Sequence, residues 1–222
     1  MPFVLVKIIL LLALLCGTVV IGSAPVRVTL SPLTKAAYSQ AEKSQITTKP
    51  RVTFPLKKQG SRIIIPTTKG SKVFKDVVIT ETFIKQGHSE DEATTYTYLG
   101  FLPDFKYHLL KVGFYETEAW LLVDSSGKSF ELWGAPLFSP DMKRIAAICQ
   151  GIEYGGGQPN IIQMLELQNG TLREIWTLRP KTWEPMILFW TSNNTLYLRK
   201  QLCEGDGYYY PKRFAYARLS VR

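Results

Sequence analysis

"PLFSPDMKRIAAI", residues 136–148, runs a proline-aspartate turn directly into a short apolar strand. Whether this is an accident or one copy of a repeated unit decides the fold class. The motif opens at Phe101 in "FLPDFKYHLL" and again at Phe138 in "FSPDMKRIAAI", an offset of 37. Downstream of each copy lies a hairpin pattern. "LVDSSGKSFELW" (122–133) aligns with "LELQNGTLREIW" (165–176) at an offset of 43, matching Leu122 with Leu165, Gly127 with Gly170, Glu131 with Glu174 and Trp133 with Trp176. Asn169-Gly170 is a strong two-residue hairpin signal, because both central residues of that turn need positive φ. The length difference falls in one connector, "GFYETEAW" against the longer "GIEYGGGQPN". Structural units vary in this way, in their loops. A third, degraded copy follows in "WTSNNTLYLRKQLC" (190–203), "EGDG" and "YYYPKRFAYARLSV", with Trp190 offset by 52 from Phe138.

Upstream, "SRIIIPTT", "KVFKDVVITETFI" and "TTYTYLGF" are β-branched or aromatic runs broken by Gly, Pro and charge, which reads as strand. From about residue 50 no helical periodicity exceeds two turns, so the expected class is all-β. Units of this length with three or four strands have the size of propeller blades. Phe-Ser-Pro-Asp followed by a basic pair and an apolar strand resembles the blade repeat of TolB-like and WD-type β-propellers, over roughly residues 98–221. Met142 stands where those repeats usually carry Gly, and no Trp-Asp dipeptide closes a blade. The resemblance implies an array of antiparallel three- to four-stranded blades, at most four of them, either a small ring or an open stack. It brings no catalytic residues.

The ends of the chain read differently. Lys7 is the sole charge in residues 1–24, and Ile8 to Ile21 is an apolar or small-residue run followed by Gly22-Ser23-Ala24. That is the layout of an export signal, either cleaved or retained as a short anchor over residues 8–24. Leu15 before Cys16 is too large for a lipid-attachment signal. The expected location is therefore periplasmic or extracellular, with membrane anchoring as the alternative. Residues 25–50 are rich in Ser, Thr, Lys, Gln and Ala and read as a flexible linker, with a weakly patterned helix over Lys35–Lys43. Residues 51–222 form the expected domain. The net charge is +9 and falls by one, with Lys7, to +8 on removal of residues 1–24. Lys and Arg are spread along the chain, which fits a solvated surface and not a nucleic-acid stripe.

Little chemistry is visible. His108 lies in "KYHLLKV" and reads as an ordinary strand residue. His88 opens "HSEDE", where Glu90, Asp91 and Glu92 could join it around a hard cation, but without metal-site spacing. No Gly-x-Ser-x-Gly elbow, Cys-His pairing, phosphate loop or cofactor motif is present. Asp104 and Asp141 are expected to bond backbone amides of their own turns, and Trp133 and Trp176 to plug the core.

Superposing the three units aligns the connectors "YETE", "IEYGGG" and "CEGDGYYY". Each pairs carboxylates with tyrosine in an otherwise basic chain. The candidate binding residues are Tyr115, Glu116, Glu118, Glu153, Tyr154, Glu204, Asp206 and Tyr208. The same superposition puts Cys149 and Cys203 at the ends of matching strands, where a disulfide could join them. The expected function is a non-enzymatic binding module for a protein or glycan of the cell envelope. An envelope assembly factor anchored by its N-terminus is the alternative, and a carboxylate- or cation-dependent hydrolase or lyase is third.

Overall fold

The structure, a computed structural model, describes residues 26–151, 158–203 and 209–222. The apolar run at residues 8–24 lies outside them. Among the described residues no helix is long and apolar enough to cross a membrane. Strands make up 55% and helix 9%, so the all-β expectation holds.

β1 (Val28–Leu33) and α1 (Lys35–Glu42) come first. The first sheet is the hairpin β2 (Arg62–Thr67) and β3 (Gly70–Lys75), followed by a short helix, α2 (Glu81–Lys85). The second sheet is β4 (Thr95–Leu102), β5 (Tyr107–Gly113), β6 (Glu118–Val123) and β7 (Ser129–Leu132) in chain order. The third is β8 (Leu137–Phe138), β9 (Arg144–Cys149), β10 (Ile161–Gln168) and β11 (Thr171–Leu178), again in chain order. The fourth is β12 (Trp183–Ser192), β13 (Thr195–Cys203) and β14 (Tyr209–Val221), with β1 added at its edge beside β14. All pairings within the sheets are antiparallel.

Alternation along the strands supplies the cores between sheets. Ile63 and Ile65 are fully buried while Ile64 between them is exposed, the period of two that a pleated strand imposes. Ile63, Ile65 and Phe74 of the first sheet pack with Leu110 and Val123 of the second. Leu102, Tyr107, Leu122 and Leu132 of the second pack with Phe138, Ile145, Leu165 and Leu172 of the third. Ala146, Ile162 and Met164 of the third pack with Leu188, Trp190, Leu198 and Leu219 of the fourth. Among the described residues no buried cluster joins the first sheet to the fourth.

Polar clips reinforce each joint. Lys72 Nζ donates to Gly127 O at 2.8 Å and to Ser129 Oγ at 3.1 Å, tying sheet one to sheet two. Between sheets two and three, the Tyr107 hydroxyl accepts from Leu172 N at 3.1 Å. There too the buried Gln163 amide accepts from Trp133 N and donates to Glu131 O. Between sheets three and four, Arg144 holds Glu166 at 2.7 Å and donates to Asn193 O and Asn194 Oδ1. Buried polar groups left without such partners would each cost about 1–3 kcal/mol.

Residues 25–50 are not a linker over their described part. β1 pairs with β14 from Val28↔Val221 to Leu33↔Tyr216. Ladder bonds come from the backbone, so a segment poor in large apolar residues can still be a strand, and an edge strand tolerates Pro32. Thr34 caps α1 by accepting from Ala37 N. Tyr38 then buries itself between Phe189 and Tyr216 on the outer face of sheet four. The run that follows crosses three sheets. Ile46 bridges Trp190 on β12, Thr48 bridges Phe138 on β8 and Thr53 bridges Phe101 on β4. These three partners are the residues that the repeat offsets of 37 and 52 make equivalent. A second departure is "TETFI", which continues no strand. Thr80 accepts from Phe83 N and starts α2 there.

A polar triad fixes the segment before sheet one. Lys58 Nζ lies 2.6 Å from Asp76 Oδ2 and donates to Tyr96 O at 2.7 Å, while Tyr96 N donates to Asp76 Oδ1 at 2.8 Å. Burial alone would raise the Asp76 pKa, but the Lys58 and Tyr96 bonds outweigh it and hold the carboxyl below its ordinary value. A depressed folded pKa stabilises above the unfolded value and is lost as pH falls through the folded one. Asp76→Asn is therefore expected to lower stability at neutral pH and to flatten its decline below about pH 4. Urea unfolding across pH 2–7 checks this, and an unchanged acid limb would refute it.

Candidate functional site

The two ends of the sheets differ. At one end lie the tight turns at 67–70, 103–106, 124–128, 139–143, 169–170 and 193–194. Neighbouring turns of adjacent sheets touch there, Thr68 N donating to Ser125 O and Arg144 reaching Asn193 and Asn194. The hairpin expectations hold in detail, with Asn169 at φ 51, Gly170 at φ 76 and Gly127 at φ 85. Asp141 accepts from the Ser139 hydroxyl and from Lys143 N as expected. The partner of Asp104 is instead Arg51, at 3.6 Å. Met142 has φ 57, a left-handed conformation that Gly adopts more readily than other residues.

At the other end are the longer connectors. Gly113 and Glu118, Cys149 and Ile161, and Cys203 and Tyr209 are the strand ends that bear the three acidic-tyrosine segments. Glu153, Tyr154, Glu204, Asp206 and Tyr208 lie outside the described residues. Tyr115 is 55% exposed. The charge of Glu90 foremost, its hydrogen bond, and then Glu116 and Asp91 hold the Tyr115 hydroxyl above its ordinary range. The "HSEDE" loop thus stands beside this connector, a neighbour the repeat pattern alone does not reveal. Its own order comes from a capping box, Ser89 bonding Asp91 N and Glu92 bonding Ser89 N, with His88 on Glu92 at 3.1 Å and stacked on Phe83. Among the described residues no group of three His, Cys, Asp or Glu is placed to hold a metal ion. Glu118 is ion-paired with Lys111, whose ammonium also lies over the Trp120 ring at 5.4 Å.

A groove of about 490 Å³ opens at this end. Trp120, Trp133, Leu137, Ile148 and Met186 form its apolar wall, and Glu118, Gln150 and Gln158 its polar part. Trp133 is half-buried there and is not the core plug expected of it, whereas Trp176 packs against the core of sheets three and four. The fully enclosed tryptophan is Trp190, 2% exposed. The floor is closely packed, with Gly134 lying against β9. A Cβ at Gly134 would sit 2.0 Å from Ile148 O.

The long connector beside the groove is pinned at both feet. Gly151 N donates to the buried Glu184 carboxylate at 2.8 Å. Asn160 Nδ2 donates to Pro180 O at 2.7 Å and to Trp183 O at 2.8 Å. Cys149, on the groove wall, and Cys203 are both buried thiols, and the expected bridge between them is not present. Their Sγ atoms instead donate to the carbonyls of Gln150 and Gln201. Burial first, and the Glu184 charge second, push the Cys149 thiol up to about 11, so at neutral pH it is a protonated wall residue and not a nucleophile. His108 is a strand residue as expected, its Nδ1 2.9 Å from the Tyr98 hydroxyl and its pKa lowered by burial.

The groove residues were hidden in the sequence because Trp120, Trp133 and Met186 come from β6, the stretch after β7 and β12, which only the stacking of sheets brings together. One local signal existed: Glu118 and Trp120 fall on the same face of β6, two apart. Comparison with protein-family models, curated proteins and solved structures finds no match to this chain.

Proposed function

We propose that this protein is an exported binding module that recognises a protein or glycan of the cell envelope through the groove at its connector end. The observation that carries this reading is the segregation of the two ends. Tight, internally bonded turns close one, while the other presents a tryptophan-walled groove beside Gly151 and Asn160, the pinned ends of one connector. This second end is also where the sequence segments rich in Tyr and Glu join the strands. Concave apolar surface with a few placed polar groups is the usual form of a binding site, and aromatic side chains on fixed supports are frequent anchors of recognition. The scaffold in this reading is an open, propeller-like array. Three four-stranded meander-type sheets and a hairpin, packed in chain order and closed at the last sheet by an N-terminal edge strand, support it.

Affinity capture from envelope extract tests the proposal, with the full chain, a Trp133→Ala variant and a Glu116→Ala/Glu118→Ala variant as baits. A partner held by the wild type and lost by the groove variant, at matched melting temperature, is the expected result. Equal capture by all three baits would remove the groove from the function. An envelope assembly factor working through sheet edges is the second reading. It rests on β11, whose outer edge lacks a strand partner among the described residues, since such an edge can accept another strand.

A further inference from the structure

The turn end, remote from the groove, has a charge pattern that binding at the groove does not use. Arg27, Lys69, Lys106, Lys128, Lys143 and Arg222 are all exposed there. The carboxylates of the same turns are already engaged. Asp104 meets Arg51, Asp124 accepts from the amides of Ser126 and Lys128, and Asp141 accepts from Ser139 and Lys143. Hydrogen bonding leaves the charges of Asp124 and Asp141 in place, but six cations against these two carboxylates, with Asp104 offset by Arg51, keep the face net cationic.

The chain also enters at this end. β1 runs antiparallel to β14, so Val28 lies opposite Val221, and Arg27 and Arg222 exchange backbone hydrogen bonds of 2.8 and 2.9 Å. The apolar run Ile8 to Ala24 ends four residues before Val28. Four extended residues span at most about 14 Å, against a Debye length of about 8 Å at physiological salt. An apolar segment seated in a bilayer would let the cationic turns reach the headgroups, since this tether is under two Debye lengths long even when fully extended.

We propose that the turn end is a lipid-facing surface, docking on anionic headgroups while residues 8–24 occupy the bilayer, so that the groove points away from the membrane. Basic side chains next to a membrane segment are attracted to anionic lipid within about a Debye length. The apolar run ending at Val28's doorstep is what favours a bilayer over a nucleic acid as the polyanion.

Amine labelling read by mass spectrometry tests this on the full chain inserted in vesicles, either neutral phosphatidylcholine or the same lipid with about one-third phosphatidylglycerol. Lys69, Lys106, Lys128 and Lys143 are expected to be protected about threefold or more in the anionic vesicles, with Lys85 and Lys181 of the other end unchanged. The protection should vanish near 1 M salt, where the Debye length is about 3 Å. In a Lys106→Glu/Lys128→Glu variant, Lys69 and Lys143 should lose it as well. Equal labelling in both vesicle types, or equal protection of Lys85 and Lys181, would overturn the proposal. Equal protection of the same four lysines by a short DNA duplex, without vesicles, would overturn the assignment to lipid.

Discussion

Gly100→Ala is expected to detach the segment that spans three sheets. Gly100 sits at φ 119 in β4, and a Cβ there would lie 2.2 Å from Val52 Cγ1 and 2.9 Å from Thr53 O. The backbone contact cannot be relieved by a rotamer change. Residues 52–54 must move, and with them the paired bonds Thr53 N to Phe101 O at 2.9 Å and Phe101 N to Thr53 O at 2.7 Å. Two hydrogen bonds at about 1 kcal/mol each and left-handed strain of about 1–2 kcal/mol give roughly 3–4 kcal/mol. For a chain of this size that is a fall in Tm of about 6–16 °C. The readout that separates this from general damage is trypsin. Arg51 is exposed, and cleavage after it should become fast in the variant while cuts within the sheets do not. An unchanged Tm with no new cleavage would mean that the crossing segment is not held at Phe101.

That crossing segment also marks where the sequence stopped being legible. The strands of sheets two to four could be read because their information is local. Asn169-Gly170 sets a turn by its own φ requirements, and alternation such as Ile63-Ile64-Ile65 sets a face. β1 and the bridges at Ile46, Thr48 and Thr53 carry no such mark. Their bonds are made by backbone atoms to partners far away in the chain, so a composition of Ser, Thr and Lys gave only the appearance of a tether. α1 shows the same limit on a smaller scale, since its single buried residue, Tyr38, finds its pocket on β12 and β14. The candidate site divides likewise. The repeat located the end at which the connectors emerge. The groove wall, assembled from β6, the stretch after β7 and β12, depends on how sheets stack and was invisible.

Trp190→Ala should be the most damaging single truncation in the described core. Trp190 is the third of the residues equated by the repeat, and all three positions lie beside the crossing segment. Phe101 is half-buried and Phe138 is packed in the joint of sheets two and three, while Trp190 fills the joint of sheets three and four. It packs among Ala146, Ile162, Met164, Leu196 and Leu198, donates its indole N–H to Leu137 O at 3.1 Å, and accepts from Ile46 N through its backbone carbonyl at 2.8 Å. Removing such a side chain costs about 3–5 kcal/mol, a large share of the 5–15 kcal/mol that holds a typical domain together. Trp190→Phe keeps most of the volume but leaves Leu137 O without its donor, so it should cost about 1–3 kcal/mol. The half-buried Trp176 should cost less than Trp190 when cut to Ala, because its cavity opens to solvent. Trp120, Trp133, Trp176 and Trp183 are only partly buried, so Trp190→Phe should also remove the blue edge of the emission spectrum. Guanidinium unfolding followed by both fluorescence and circular dichroism distinguishes the outcomes. If Trp190→Phe leaves both the spectrum and the midpoint unchanged, the joint between sheets three and four does not rest on this residue.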